Sequence, residues 1–216
     1  MIGLSFVLAL QVATPPSLAE IQRLSPGAAG ELALGHQTHG PIESIVRGGS
    51  GMDAPGMIRL DLVERPVAQE GGCSRKRWHL DFFPGPDGIH RLASQPSSRT
   101  EVALSSSGVC PQGQYVQLNS ALTPERAFDA LRHLDEIRSP RGRARFSCTD
   151  RESTHLCSGS RAIRRELARL SPWAVMTEGD ATIFWMGTRG DIVTEVRYRA
   201  ASPDRVVVKR EMPAPF

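Results

Sequence analysis

Alternating apolar and polar residues predict a run of short strands in the first half of the chain. In MIRLDLVE, residues 57–64, the apolar Ile58, Leu60 and Leu62 alternate with charged residues. A period of two residues is typical of a strand with one buried face. The same period recurs in residues 77–83, where it places Trp78 on one face and His79 on the other.

Turn-forming residues separate these runs closely. The pentapeptide PGPDG, residues 84–88, follows the second run directly, and its prolines and glycines favour a tight turn. Spacing this short predicts antiparallel pairing through hairpins rather than helical crossovers. Three further runs extend the strand-rich region: IHRLAS, RTEVALS and GQYVQLN.

Two later segments change to the period of a helix. Thr123 is a good N-cap and Pro124 suits the first helical position, so a helix is predicted over residues 124–138. A second helix is predicted over residues 159–170, ending before the Pro172 boundary. The apolar stripes consist of Ala127, Phe128, Leu131, Leu134 and Ile137 in the first helix, and of Ile163, Leu167 and Leu170 in the second.

The C-terminal region returns to strands. ATIFWMG, DIVTEVRYRA and DRVVVKREM are rich in β-branched and aromatic residues. The short polar segments TRGD and ASPD between them suit hairpin turns. These patterns predict a three-stranded meander at the end of the chain.

Together, the elements predict an α+β fold, because strands, helices and strands follow one another without regular βαβ alternation. We expect an antiparallel sheet of short strands with two amphipathic helices on one face. Residues 20–56, rich in Gly and Pro, are expected to form an irregular N-terminal arm, with at most a short helix near 17–24. Residues 57–216 are expected to form one domain, and a division near residue 121 is the alternative.

The first nineteen residues contain no charged side chain, since Glu20 is the first. Their apolar run has the length of a signal-peptide core and is too short to span a bilayer, and Ser17, Leu18 and Ala19 suit a cleavage site. The sequence therefore predicts a signal peptide over residues 1–19 and a soluble, periplasmic or secreted product. The basic residues that usually begin a signal peptide are missing, so a cytoplasmic protein is the alternative.

The cysteine count agrees with export. Cys73, Cys110, Cys148 and Cys157 are even in number, and in an oxidising compartment they favour two disulfides with three possible connectivities. We expect Cys148 to pair with Cys157, because the two are close in sequence and flanked by turn-forming residues. Cys73 would then pair with Cys110.

The segment SCTDRESTHLCSG, residues 147–159, also invites a catalytic or metal-binding interpretation. Its Cys148, His155 and Cys157 do not have the spacing of a zinc knuckle, and no nucleophile signature surrounds them. The sequence therefore predicts no catalytic residue, no metal ligand and no cofactor. The alternative is a small metal-dependent or hydrolytic enzyme that gathers loop residues such as His36, His39, His155, Asp53, Asp150 and Asp191.

Arginine dominates the basic residues. Only Lys76 and Lys209 are lysines, so 24 of the 26 basic residues are arginines, although the net charge is only +3. Residues 138–169 contain nine arginines against three acidic residues. Within the second predicted helix Arg161, Arg165 and Arg169 recur every four residues and therefore share one face.

Such a face is either a solvated helix surface or a contact for an anionic partner, because guanidinium groups bind carboxylates and phosphates bidentately. Aromatic residues, which single-strand nucleic-acid binders use for stacking, are absent from this helix, so nucleic acid is disfavoured. The expected partner is an anionic envelope component or an acidic protein. The predicted function is that of a non-enzymatic binding or scaffold protein of the bacterial cell envelope.

Overall fold

Strands predominate in the structure, a computed structural model with a mixed α/β fold, as the sequence predicts at this level. It describes residues 14–38, 40–48, 55–93, 95–119, 121–149, 154–156, 159–187 and 193–211. Four α-helices lie in these ranges: the two predicted amphipathic helices, the short helix expected near residues 17–24, and one that was not predicted. They are α1 (Leu18–Arg23), α2 (Pro26–Leu34), α3 (Pro124–Arg138) and α4 (Ser160–Leu167).

The strands form a single thirteen-stranded sheet within the described ranges. They are β1 (Ile42–Arg47), β2 (Ile58–Glu64), β3 (Val67–Gln69), β4 (Gly72–Pro84), β5 (His90–Leu92), β6 (Ser97–Leu104), β7 (Val116–Leu118), β8 (Arg145–Thr149), β9 (Thr154–Leu156), β10 (Pro172–Glu178), β11 (Ala181–Met186), β12 (Val193–Arg199) and β13 (Ser202–Glu211).

The order of the strands explains why the sheet is not purely antiparallel. It runs β1-β2-β4-β6-β7-β10-β11-β12-β13-β8-β9, and β3 and β5 also pair with β4. The pairs β7–β10 and β8–β13 are parallel, whereas the other described pairs are antiparallel. The chain between β7 and β10 contains α3 and α4, and the chain between β8 and β13 contains α4, so both parallel pairs have the long connections that parallel strands need.

The alternation seen in the sequence has the predicted effect in β2 and β4. Leu60 and Leu62 of β2 pair with Leu80 and Trp78 of β4, and all four are buried in one apolar cluster with Ile21 of α1. The intervening charged residues therefore lie on the opposite face of the sheet.

Apart from the short helix expected near residues 17–24, which α1 matches, the prediction of an irregular arm over residues 20–56 is wrong, because α2 and β1 occupy much of it. Ser25 caps α2, and Pro26 stands at its first position. Gly30 lies so close to β1 that a Cβ there would be 2.6 Å from Cγ1 of Ile42. Glycine in this segment thus permits close packing of a helix on a strand and does not interrupt the structure.

Helices α3 and α4 lie close to their predicted positions. The first has the predicted bounds, and α4 ends at Leu167, three residues before the predicted end. Phe128 and Leu134 of α3 share one buried cluster with Ile163 and Leu167 of α4 and with alternate residues of β10–β13. This larger core fixes the end of α3 against the start of α4.

The predicted C-terminal meander corresponds to β11, β12 and β13, which pair antiparallel in sequence order. A fourth strand, β10, precedes them and was not predicted. Trp173 and Met176 interrupt the expected alternation in β10, so the sequence pattern there resembles neither a helix nor a half-buried strand.

Residues 14–23 belong to the folded part of the chain. Ser17 forms a reciprocal capping box with Glu20 at the start of α1, and the backbone N–H of Leu92 donates to the carbonyl of Pro16 at 3.0 Å. Cleavage after Ala19 would therefore remove the cap and the first residues of α1. Residues 1–13 of the predicted signal peptide lie outside the described ranges.

Candidate functional site

A cavity of about 200 Å³ opens where the end of α3, the loop that follows it and helix α4 meet. Four of its six lining residues are arginines, two of which were not predicted contacts. We call this cavity the arginine pocket. It is lined by Arg138, Pro140, Arg161, Arg164, Arg165 and Ala168.

Local folding explains why these arginines converge. Ile163 and Leu167 bury the apolar side of α4 in the core, so the polar side of the helix faces the loop after α3. Gly142 holds this loop against the end of α3, because a Cβ there would collide with the carbonyl oxygen of Glu136. The last turn of α3 and the polar side of α4 thus form two walls of the pocket.

Arg164 is held in place by backbone carbonyl groups. Its Nη2 donates to the carbonyl oxygens of Gly142 and Ala144, each at 2.7 Å. Its guanidinium carbon lies 5.1 Å from the ring centroid of Phe146, close enough for a cation–π interaction. These partners fix the guanidinium but carry no negative charge.

Arg138 is fixed in a similar way on the other wall. Its Nη2 donates to the carbonyl oxygen of Leu170 at 2.9 Å. Its nearest carboxylate is that of Asp135, 3.7 Å from Nη1 and 64 % exposed. Solvent screens such a pair strongly, so Asp135 compensates little of the charge on Arg138.

The electrostatics of Arg138 reflect this burial. Removal of water from around the guanidinium lowers the pKa of Arg138 below its ordinary value, and the charge of Asp135 only partly opposes the shift. The Nε atoms of Arg138 and Arg164 are both buried and have no hydrogen-bond partner among the described residues. Two cations are therefore partly desolvated without a buried counter-charge, which is energetically unfavourable.

Arg161 and Arg165 line the pocket from α4 with exposed side chains. Neither has an ion pair or a side-chain hydrogen bond to any residue that the structure describes. The acidic residue of this helix, Glu166, instead pairs with Arg210 of β13, whose Nε lies 3.1 Å from Oε1. Within the described part of the chain, both side chains are therefore exposed and without an ion pair.

A second cavity of about 370 Å³ lies on the other side of the loop after α3. Ile137 and Ala144 contribute apolar surface, whereas Arg141 and Arg143 contribute charge. His133 lines the same cavity, and its Nε2 lies 3.1 Å from the carbonyl oxygen of Pro203. Glu136 and Asp204 line it as well, so this cavity brings acidic and basic side chains together, unlike the arginine pocket.

The predicted anion contacts are only partly brought together. Arg161 and Arg165 line the arginine pocket, whereas Arg169 lies exposed in the turn after α4 and does not. Arg138 and Arg164 were not predicted as contacts. The sequence does contain a signal for Arg164, because residues three positions apart, such as Arg161 and Arg164, are neighbours on a helix surface. No local signal could place Arg138, because it reaches the pocket only through the packing of α3 against α4.

The predicted disulfide between Cys73 and Cys110 is confirmed. Both residues belong to a small apolar cluster with Ala103 and Tyr115. Cys148 is also disulfide-bonded. Cys157 lies outside the described residues, so the pairing of Cys148 with Cys157 stays a prediction.

A second group of arginines lies on β4 and has quite different surroundings. Glu101 of β6, only 4 % exposed, accepts hydrogen bonds from Nε of Arg77 at 2.6 Å and from Nε of Arg75 at 2.9 Å. Asp61 of β2 lies 3.3 Å from Nη1 of Arg77 and 2.7 Å from Nδ1 of His79. We call these five residues the carboxylate network.

The carboxylates of this network stay ionised in the fold. Burial alone would raise the pKa of Glu101, but hydrogen bonds and charges of Arg77 and Arg75 outweigh it, so the pKa is lowered. Burial is likewise outweighed at Asp61, where the hydrogen bond and charge of His79 and the charge of Arg77 lower the pKa. Each cation of the network therefore has a local counter-charge.

The structure gives little on which to judge the enzymatic alternative. His39, Asp53, Asp150 and Asp191 lie outside the described residues. His36 and His155 lie in described backbone, but their side chains are not described. In the part of the chain that the structure covers, no three His, Cys, Asp or Glu side chains come together to hold a metal ion.

Comparisons with known proteins do not place the chain in a family. No family model, no curated protein and no solved structure matches the chain. Among the described residues, no helix has both the length and the apolar character needed to cross a membrane. Any functional conclusion therefore depends on the geometry of the sites themselves.

Proposed function

We propose that this protein is a non-enzymatic binding protein of the bacterial cell envelope, and that the arginine pocket holds an anionic group of its ligand. One observation carries the proposal. Arg138 and Arg164 are partly buried and fixed by neutral carbonyl groups, beside two exposed arginines that lack ion pairs to the described residues. An anion in the pocket would give these four cations a shared counter-charge.

The energetics favour an external counter-ion over a purely structural role. Desolvation of a fully buried cation costs several kcal/mol in order of magnitude, and for the partly buried Arg138 and Arg164 hydrogen bonds to carbonyl groups offset part of a smaller cost. In the carboxylate network the chain supplies its own counter-charges, whereas among the described residues the one ion pair of the pocket arginines is that of Arg138 with the exposed Asp135. Proteins often keep an energetically unfavourable arrangement of this kind where they bind a ligand.

The proposal includes the prediction that the two amphipathic helices, α3 and α4, lie on one face of the sheet. It draws support from the core cluster that α3 and α4 share. This arrangement holds the two walls of the pocket at a fixed separation. Preorganised guanidinium groups lose less conformational entropy when a ligand binds.

Export to the periplasm or the exterior belongs to the proposal as well. The disulfide between Cys73 and Cys110 supports it, because disulfides persist mainly in oxidising compartments. The uncharged N-terminal segment supports it independently. Envelope components are rich in carboxylate and phosphate groups, which suits an arginine-lined pocket.

Isothermal titration calorimetry with inorganic phosphate and, separately, with acetate tests the proposal. We expect at least one of them to bind the native protein. The double variant Arg161→Gln/Arg165→Gln should bind it at least about tenfold more weakly, since charge-assisted hydrogen bonds contribute about 1.5–3 kcal/mol each.

Arg126→Gln is the matched control, because Arg126 is an exposed arginine of α3 that is remote in sequence from the pocket-lining residues. It removes one charge of the same sign from a helix surface and should leave both affinities within about twofold. The proposed function would be contradicted if neither phosphate nor acetate bound, or if Arg126→Gln weakened binding as much as Arg161→Gln/Arg165→Gln.

A further inference from the structure

We infer that the anionic group is a phosphate dianion, such as that of a phosphomonoester, rather than a carboxylate. This inference rests on the proposed function and specifies the ligand class of the same pocket. It follows from the charge, the number of donors and the size of the pocket. Each of these is a property of the described residues.

The charge of the pocket calls for more than one negative charge. Four guanidinium groups line it, and arginine stays protonated throughout the physiological range. The nearest carboxylates compensate them poorly, because Asp135 is mostly exposed and Glu166 pairs with Arg210. A carboxylate would leave most of this positive charge uncompensated, whereas a phosphomonoester carries nearly two negative charges at neutral pH.

The donor arrangement also suits a phosphate. Arg161 and Arg165 are separated by one helical turn, so their side chains leave α4 in neighbouring positions. A carboxylate has two oxygens and matches a single guanidinium fork. A phosphate has three terminal oxygens and can accept from both exposed arginines together while a third oxygen faces Arg138 or Arg164.

The size of the pocket indicates that it takes a group and not a whole ligand. Its volume of about 200 Å³ is below the range of about 300–1,000 Å³ typical of pockets that enclose a small molecule. A phosphate with its ester carbon fits this space. The remainder of the ligand would leave past Pro140 and Ala168, the two apolar lining residues.

A matched pair of soluble probes tests the inference. Glycerol 3-phosphate and glycerate have similar three-carbon frames and differ chiefly in the anionic group. In isothermal titration calorimetry near neutral pH, we expect glycerol 3-phosphate to bind about tenfold more tightly, as one extra charge-assisted hydrogen bond would produce. The variant Arg161→Gln/Arg165→Gln should abolish this preference, and Arg126→Gln should keep it.

The pH dependence provides a second readout. A phosphomonoester gains its second negative charge with a pKa of about 6, so the affinity for glycerol 3-phosphate should rise severalfold between about pH 5 and about pH 7.5. Titration of groups near the pocket, among them Asp135, Glu166 and His133, would affect both probes. The affinity for glycerate, measured in parallel, therefore corrects for any titration of the protein itself.

Vesicles distinguish a lipid phosphate from a soluble one. Phosphatidylcholine vesicles that contain phosphatidic acid carry the monoester, whereas vesicles with phosphatidylglycerol carry only diesters. Cosedimentation with the former alone assigns the site to a lipid. Binding of glycerol 3-phosphate without cosedimentation assigns it to a soluble phosphomonoester.

The outcomes separate the two levels of the proposal. If glycerate binds as tightly as glycerol 3-phosphate and both require Arg161 and Arg165, the phosphate inference is wrong and the anion-binding function stands. If neither soluble probe nor either vesicle binds, the phosphate inference and the proposed function are both overturned.

Discussion

The carboxylate network and the arginine pocket are built from the same residue type in opposite surroundings. In the network, Arg75 and Arg77 meet Glu101 at hydrogen-bond distance, and Arg75 also stacks 3.8 Å over the ring of Tyr115. In the pocket, Arg138 and Arg164 meet carbonyl oxygens. The carboxylates of the chain balance the positive charge of the first group, whereas the positive charge of the second group is not balanced by its carbonyl partners.

This difference separates a stabilising role from a binding role. A guanidinium held by buried carboxylates contributes to the fold, and removal of one partner leaves an unpaired buried charge. A guanidinium held only by carbonyl oxygens is positioned without being neutralised. The density of arginines along the sequence does not distinguish the two cases, because only the partners differ.

The largest effect should come from Glu101→Ala in the network. Loss of this carboxylate removes an ion-pair partner of Arg75, of Arg77, which keeps Asp61, and of Arg99, which lies 3.5 Å from Glu101. We expect the free energy of unfolding, measured by urea denaturation, to fall by about 3–5 kcal/mol. A loss below about 1 kcal/mol would show that solvent already compensates these arginines.

The disulfide beside the network should have the next largest effect. Cys73→Ser/Cys110→Ser removes a bridge between residues 37 positions apart, and should lower the free energy of unfolding by about 2–4 kcal/mol. The affinity of the arginine pocket for glycerol 3-phosphate should stay unchanged, since the pocket is built from α3, α4 and the intervening loop. A parallel loss of affinity would show that the two regions are coupled.

Acid should destabilise the network selectively. The pKa values of Asp61 and Glu101 are lowered in the folded protein, so their contribution is complete above the unfolded values of about 3.9 and 4.3 and is lost as the pH falls through the folded ones. Urea denaturation from about pH 6 downwards should show stability falling below about pH 4. Glu101→Gln should flatten this decline; an unchanged profile would exclude Glu101 as its source.

The smallest effect on stability is expected for Arg165→Gln. This side chain is exposed and has no ion pair within the described residues, so the free energy of unfolding should stay within about 0.5 kcal/mol of the native value. A slight increase is possible through relief of repulsion with Arg161. A loss comparable to that of Glu101→Ala would break the distinction between the two groups.

Local patterns predicted the elements better than the site. Alternation placed Leu60, Leu62 and Trp78 correctly in the core, and the prolines at 124 and 140 marked the bounds of α3, although the Thr123 side chain makes no capping hydrogen bond. Both signals act over a few residues, so a single sequence contains them in full. Helix α1 matches the short helix expected near residues 17–24, whereas α2 was missed because its glycines resemble those of a loop until Gly30 is seen against Ile42.

The pocket depends on contacts that the sequence does not encode locally. Arg138 and Arg164 are 26 positions apart and meet only because α3 and α4 share a core. His79, which looks like an ordinary strand residue in the sequence, likewise acquires its partner Asp61 from a different strand. Pairings of this kind follow from tertiary packing and not from residue type or spacing.

The capping of α1 sets a boundary for any processing of the N-terminus. Ser17 closes the first turn of α1, and Pro16 ties the chain to β5 through Leu92. A polypeptide that starts at Glu20 would lack both, at a cost of about 1 kcal/mol for the cap alone. A peptidase that acts upstream of Pro16, or a tag or fusion partner joined there, leaves both the cap and this hydrogen bond intact.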